Sequence, residues 1–307
     1  MIFKPSKKKR KDVALVLSSG GARGIAHIGV INALEKHGYN ITSISGSSMG
    51  ALVGGIYAAG SLKTLEDWVK TLTKLEVFKL MDFTISTSGL MKGEKLITEL
   101  EDMIPDRNIE DLEIPYCAVA TDIINEEEVV FNKGKLYNAI RASISIPTVL
   151  KPYVIDGRHL VDGGVMNPIP SNRVERNKND LLVVSNVNSR LENDGEKPST
   201  PEEALKPRVS VPEDVNMARK AIINLQQNIS KLISPTNHNK TGIFNLMNRS
   251  ISLMLYIMSD NILREYPPDI LVKTDRNKYG TFDFYKSAEI IQYGEEACEK
   301  ALKRIKK

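Results

Sequence analysis

Cysteine is almost absent from this chain, with two in 307 residues: Cys117 in an apolar run and Cys298 near the end. Such a pair makes no disulfide framework and has no metal-ligand spacing, which excludes disulfide-stapled secreted scaffolds and points to a reducing compartment. Histidine is nearly as scarce, so an imidazole base must be one of only four residues, His27, His37, His159 and His238. No run approaches the roughly 18 apolar residues of a membrane span, and the N-terminus is charged where a signal peptide needs an apolar core. These absences predict a soluble, cytoplasmic protein.

What is present is ordinary for a packed core: 41% hydrophobic residues and enough length for one large α/β domain or two smaller ones. The net charge of +4 is unevenly placed, because Lys4, Lys7, Lys8, Lys9, Arg10 and Lys11 fall in the first eleven residues without an acid. This arm, residues 1–12, is a candidate for peripheral contact with an anionic membrane; the alternative is a solvated terminus. Nothing in it specifies nucleic acid.

Val13–Ser18 reads as a buried strand ending in glycines, followed by a helix through Ile25, Ile28, Ile31 and Leu34 that stops near Gly38. Ile41–Ser45 is a second strand and Met49–Ala59 a second helix, a β-α-β-α opening that argues for a mostly parallel sheet between helices. Leu62–Leu80 reads as one amphipathic helix, Thr84–Gly93 as a loop, and Glu94–Met103 as another helix. Strands are expected at Tyr116–Thr121, Val129–Phe131 and Leu181–Ser185, with a hairpin at Asp156-Gly157. The core is therefore assigned to 13–190. A polar, proline-containing loop or lid is expected to start at Asn186 and to occupy 191–213. A helical C-terminal part covers 214–307, with helices at Val215–Ile233, Ile243–Arg264 and Ser287–Lys306 and a strand at Ile270–Thr274. The methionine-rich segment 243–258 suits either core or an acyl site.

Gly46-Ser47-Ser48-Met49-Gly50 fits G-x-S-x-G between a strand and a helix rich in small residues. That context is what a nucleophile elbow needs: Gly46 and Gly50 relieve crowding, and the hydroxyl of Ser48 stands at a helix head. Ser19-Gly20-Gly21-Ala22-Arg23-Gly24 lies between the first strand and helix, where free amides bind an anion. It fails as a dinucleotide fingerprint, since position 19 is serine, and as a P-loop, since Arg23-Gly24-Ile25 replaces Gly-Lys-Ser/Thr. Backbone donors for an oxyanion remain compatible with it.

None of the four histidines suits the role of base. His27 packs in the first helix, His37 sits at that helix's end, and His238 lies in a polar loop. His159 is three residues from Asp162 and projects from the opposite strand face. Val161-Asp162-Gly163-Gly164 is the better source: Asp162 ends a strand, and Gly163 and Gly164 permit close approach. A turn-capping aspartate is the competing explanation.

In order and context these segments resemble the patatin-like phospholipases. Ala139-Ile140-Arg141-Ala142-Ser143 with Ile146-Pro147, Gly89-Leu90-Met91-Lys92-Gly93 and Asp162 through Pro170 add to the likeness, which runs from about Val13 to Ser171. The resemblance implies an α/β fold with a central, mostly parallel sheet between helices, and a lipid acyl hydrolase without metal or organic cofactor. Ser48 would be the nucleophile and Asp162 the base, with amides of Gly20, Gly21, Ala22, Arg23, Gly24 and Met49 as the oxyanion hole. Ser19 stands where the family has glycine. An acyltransferase or thioesterase shares this chemistry, and a non-catalytic lipid- or protein-binding regulator is the rival of another class.

Overall fold

A computed structural model of the chain describes residues 11–82, 91–191 and 243–305, with side chains of the last stretch from residue 250. The arm from Lys4 to Arg10, the segment Gly89-Leu90, the excursion beyond 191, the helix expected at Val215–Ile233 and His238 lie outside the described residues. Two compact units divide the chain, Met1–Leu191 with Leu255–Lys307, and Glu192–Met254. Of the second, only the helical stretch 243–254 is described.

Among its described residues the first unit has eight strands: β1 (Lys11–Leu17), β2 (Tyr39–Ser47), β3 (Tyr116–Asp122), β4 (Glu127–Phe131), β5 (Tyr153–Ile155), β6 (Arg158–Asp162), β7 (Leu181–Ser189) and β8 (Ile270–Asp275). They run in the order β5-β6-β3-β2-β1-β7-β8, with β4 also pairing to β3. The pairs from β3 through β8 along this order are parallel; β4, β5 and β6 join antiparallel. Central β1 is buried from Val13 to Leu17, the continuous apolar run that a strand covered on both faces requires.

The described α-helices are α1 (Ala26–Lys36), α2 (Met49–Ala58), α3 (Leu62–Thr71), α4 (Lys74–Leu80), α5 (Glu94–Met103), α6 (Leu136–Ser143), α7 (Ile243–Glu265) and α8 (Ser287–Ile305), with short 3-10 turns between some elements. α1 and α8 lie close because each offers the other a glycine: a Cβ on Gly29 would meet the Ile291 carbonyl, and one on Gly294 the Ala26 carbonyl. In the methionine-rich segment Ile257 is half exposed, so that stretch is not wholly core.

Three sequence expectations need correction. The first strand starts at Lys11, not Val13, because Lys11 and Asp12 pair with Tyr39 and Asn40 while their side chains stay in water. Leu62–Leu80 is two helices. The first stops at Thr71 with Leu72 as its extended C-cap, and Thr73 caps the second through a reciprocal capping box with Glu76, a local bond set that outweighs continuous amphipathicity. Asn186–Ser189 belongs to β7 rather than to a loop. Asn188 is buried and donates from Nδ2 to the Ser19 carbonyl at 2.6 Å, so its polarity is satisfied inside the fold.

Candidate active site

Ser48 has φ 55° and ψ −123°, a left-handed conformation that a non-glycine residue adopts only where the surroundings impose it. The imposition is visible. Ser48 N–H donates to Ser143 Oγ at 2.8 Å, and Ser143 in turn donates to the Val119 carbonyl at 2.6 Å, so α6 and β3 hold the turn from one side. From the other side, Gly46 and Gly50 let β2, α2 and β1 touch. A Cβ on Gly50 would strike the Leu17 carbonyl, and one on Gly46 the Gly50 carbonyl. Ser48 stands at the N-cap of α2, yet its hydroxyl caps nothing.

That hydroxyl instead donates to Asp162 Oδ2 at 2.5 Å. Register explains the meeting: Ser47 pairs with Val119 on β3, and Ala120 pairs with Asp162 on β6. The other carboxylate oxygen, Oδ1, accepts the Gly164 amide at 2.7 Å and caps the turn Gly163–Val165. The two explanations of Asp162 offered by the sequence are thus not exclusive, since one oxygen caps while the second faces the serine. A Cβ on Gly163 would meet the Val119 carbonyl, and one on Gly164 would crowd Asp162 Oδ1 and Ser19 Oγ. Burial pushes the Asp162 carboxyl up to about 6, against the hydrogen bonds from Ser48 and Gly164, which favour the charged form.

The histidines are placed elsewhere in chemistry. His27 is buried, with Nε2 at 2.8 Å from the Ser18 carbonyl and Nδ1 at 2.9 Å from Ser185 Oγ. The carbonyl requires Nε2 to donate, so Nδ1 accepts from the serine, and burial pushes the ring down to about 4. Both nitrogens are engaged. His159 is exposed on β6, and His37 reaches Glu299 at 3.8 Å.

The glycine loop forms a short 3-10 turn, Gly21–Ile25, with Gly20 at its N-cap and Gly21 at φ +55°. Ala22 N–H donates to the Thr281 carbonyl at 2.9 Å, and later amides serve the turn's own i→i+3 bonds. Among the described residues the amides of Gly20 and Gly21 have no acceptor. Met49, at the first position of α2, likewise presents an amide that the helix itself does not use. The Arg23 side chain is buried, donates to Asn188 Oδ1 at 3.2 Å, and leaves Nε without a partner. Burial, with Arg276 nearby, lowers its guanidinium to about 10.

Ser48 also lies on the wall of a cavity of about 130 Å³ whose lining is almost wholly apolar. Leu52 and Val53 of α2, Leu65, Trp68 and Val69 of α3, Val77 and Leu80 of α4, and Ile144 and Val149 after α6 contribute to it, with Phe282 and Phe284 before α8. Sequence reasoning missed Ser143, Asn188, Thr281 and the two phenylalanines as parts of the site. Ser143 stood in a quoted segment without a role. The others come after β6, where no motif announced them.

The family model described as patatin-like phospholipase matches residues 15–172. An uncharacterized NTE family protein of Mycobacterium tuberculosis is 35% identical over 94% of this chain and 91% of its own length. Human patatin-like phospholipase domain-containing protein 6 is 32% identical over 59% of this chain, which corresponds to 14% of that much longer protein. A crystal structure of VipD from Legionella pneumophila aligns with a TM-score of 0.45 at 15% identity, over 97% of this chain and 68% of that one. The chain belongs to the patatin-like phospholipase family, a membership that supports lipid hydrolase activity in general.

Proposed function

We propose that the protein is a serine carboxylic-ester hydrolase that cleaves acyl esters of phospholipid or lysophospholipid type through a Ser48–Asp162 dyad. The observation that carries this reading is the hydrogen bond from Ser48 Oγ to Asp162 Oδ2 at the wall of an apolar cavity. In the acylation step Ser48 Oγ attacks the acyl carbonyl carbon while its proton passes to Asp162. The oxyanion is met by amides of the glycine loop and of Met49. Collapse of the tetrahedral species expels the alcohol, which takes its proton from Asp162. Water then repeats the sequence, giving its proton to Asp162 as it attacks the acyl-enzyme, and the fatty acid leaves as Ser48 regains its hydrogen.

Within the loop, the amides of Gly20 and Gly21 are the better donors, because that of Ala22 is held by Thr281. The elevated Asp162 suits a base that must both accept and return a proton near neutral pH. Among the described residues no helix is long and apolar enough to cross a membrane. A cytoplasmic enzyme acting at a membrane surface through the arm Lys4 to Lys11 fits this reading. The test is labelling by a fluorophosphonate: wild type is expected to react at Ser48 and Ser48→Ala to remain unlabelled. Labelling that persists in the variant, or maps to Ser47, rejects the assignment. Product analysis with water against an added alcohol separates hydrolysis from acyl transfer.

A further inference from the structure

We infer that Thr281–Phe284 is a positioning segment, through which an acyl chain in the apolar cavity sets the geometry of the oxyanion loop. This rests on the hydrolase reading above and adds to it a selection by chain length that acts on turnover. The segment lies more than a hundred residues beyond the matched stretch 15–172.

Two observations meet in these four residues. The first is on the loop side: the Thr281 carbonyl accepts the Ala22 amide at 2.9 Å. Gly21 is packed so tightly on the same residue that a Cβ would lie 2.7 Å from Thr281 Cγ2 and 2.9 Å from its carbonyl oxygen. Gly21 is also the residue at φ +55°. The direction of its amide therefore depends on where Thr281 sits. The second is on the cavity side, where Thr281, Phe282 and Phe284 line the same space as Ser48. That space, about 130 Å³, approaches the roughly 150 Å³ of a cavity that holds benzene, so it takes roughly six carbons of a chain.

Within the segment, Asp283 Oδ2 accepts the Gly280 amide at 3.0 Å and the Asp283 carbonyl accepts the Lys286 amide at 2.9 Å, local bonds that shape the turn without tying it to the rest of the fold; the other anchors are on its far side. Ser287 Oγ donates to the Val69 carbonyl at 2.6 Å, and Lys74 Nζ stands 4.8 Å from the centroid of the Tyr285 ring. The side chains of the two phenylalanines on either side of Asp283 line the apolar cavity. A chain that fills the cavity completes this packing and presses the segment against the loop. A short chain leaves the wall incomplete and the loop amides less well aimed. Binding energy from a remote part of the substrate is then spent on orienting the groups that meet the transition state, so truncated substrates lose kcat.

The experiment uses full-length protein and p-nitrophenyl acetate, butyrate and hexanoate, comparing wild type with Phe282→Ala and Phe282→Leu. In wild type kcat is expected to rise about tenfold from acetate to hexanoate, and Phe282→Ala is expected to remove most of that ratio while Phe282→Leu restores it. An unchanged kcat ratio with a raised KM for hexanoate overturns the inference, since Phe282 is then only a passive wall. If Phe282→Ala loses its cooperative unfolding transition, Phe284→Leu carries the same comparison: a ratio lowered about threefold supports the inference and an unchanged one overturns it. Failure of the hydrolase reading looks different, because no ester is then turned over in a Ser48-dependent way and Ser48 is not labelled.

Discussion

The two halves of the site are held by different kinds of bond. On the Asp162 side the supports are mostly side chains: Asp162 reaches Ser48 and Gly164, Ser143 reaches Ser48 and Val119, and Thr121 reaches the Asp162 carbonyl, with the Ser145 carbonyl as the backbone acceptor of the Asp162 amide. On the glycine-loop side the supports are mostly backbone carbonyls, Thr281 for Ala22 and Pro168 for Ser19, with Asn188 as the chief side chain. Side-chain supports demand particular residue types and leave a mark in the sequence. Backbone supports demand only that a segment arrive at the right place. The first half lies within residues 15–172, whereas Asn188 and Thr281 of the second lie beyond it.

Mutations test this division. Asp162→Asn is expected to have the largest effect, since general-base assistance is typically worth about 10² to 10⁴ in rate. Asparagine can still accept from Gly164 and bond Ser48, so the fold should survive. A variant that keeps more than a tenth of wild-type kcat breaks the assignment of Asp162 as base.

Gly21→Val comes next. A side chain there must clear Thr281 at a positive φ, and loss of one aimed oxyanion donor typically costs about 10² to 10³ in kcat. Because the support is backbone, Thr281→Ser should change little, in contrast to the side-chain half, where Ser143→Ala leaves the buried Ser48 amide unpaired. Leaving such a group unsatisfied costs about 1–3 kcal/mol, so Ser143→Ala should lower both the melting temperature and kcat. Equal effects of Thr281→Ser and Ser143→Ala, measured by thermal unfolding and steady-state kinetics, would erase the distinction.

The pH dependence sharpens the role of Asp162. On the proposed dyad its ionised form is the base, so kcat/KM should rise about tenfold per pH unit below an apparent value near 6 and level off above it. Stability moves the other way. The folded carboxyl is raised above the ordinary aspartate value of about 3.8, so its contribution is fully present below that pH and lost as pH rises through about 6. Asp162→Asn should remove this loss, detected as a flatter melting temperature between pH 4 and pH 7. The smallest effects are expected from His159→Gln, whose exposed ring faces away from the dyad; a fall in kcat comparable to that of Asp162→Asn would restore a histidine to the mechanism.

Much of the fold was legible because periodicity and punctuation agreed. The buried run Val13–Leu17, the small-residue face of α2, and the Asp156-Gly157 hairpin, with both residues at positive φ, need only local chemistry to be read. Leu62–Leu80 misled because amphipathicity continued through a helix break that Thr73 and Glu76 make by bonding each other's backbone. Asn186–Ser189 misled because polarity suggests a loop, while pairing with β8 and bonds to Ser19 bury these residues inside the sheet.

From the sequence alone came the candidate pair Ser48 and Asp162, because a serine between glycines at a strand-to-helix turn and an aspartate before two glycines are local patterns with local causes. Only the tertiary structure decided that one carboxylate oxygen caps a turn while the other meets Ser48, since that depends on the register of β2, β3 and β6. It alone also joined Thr281 to Ala22, and drew a cavity wall from α2, α3, α4 and Phe282. Those relations are made by backbone carbonyls and apolar contact, which almost any residue can supply. They leave no signature until the chain has folded.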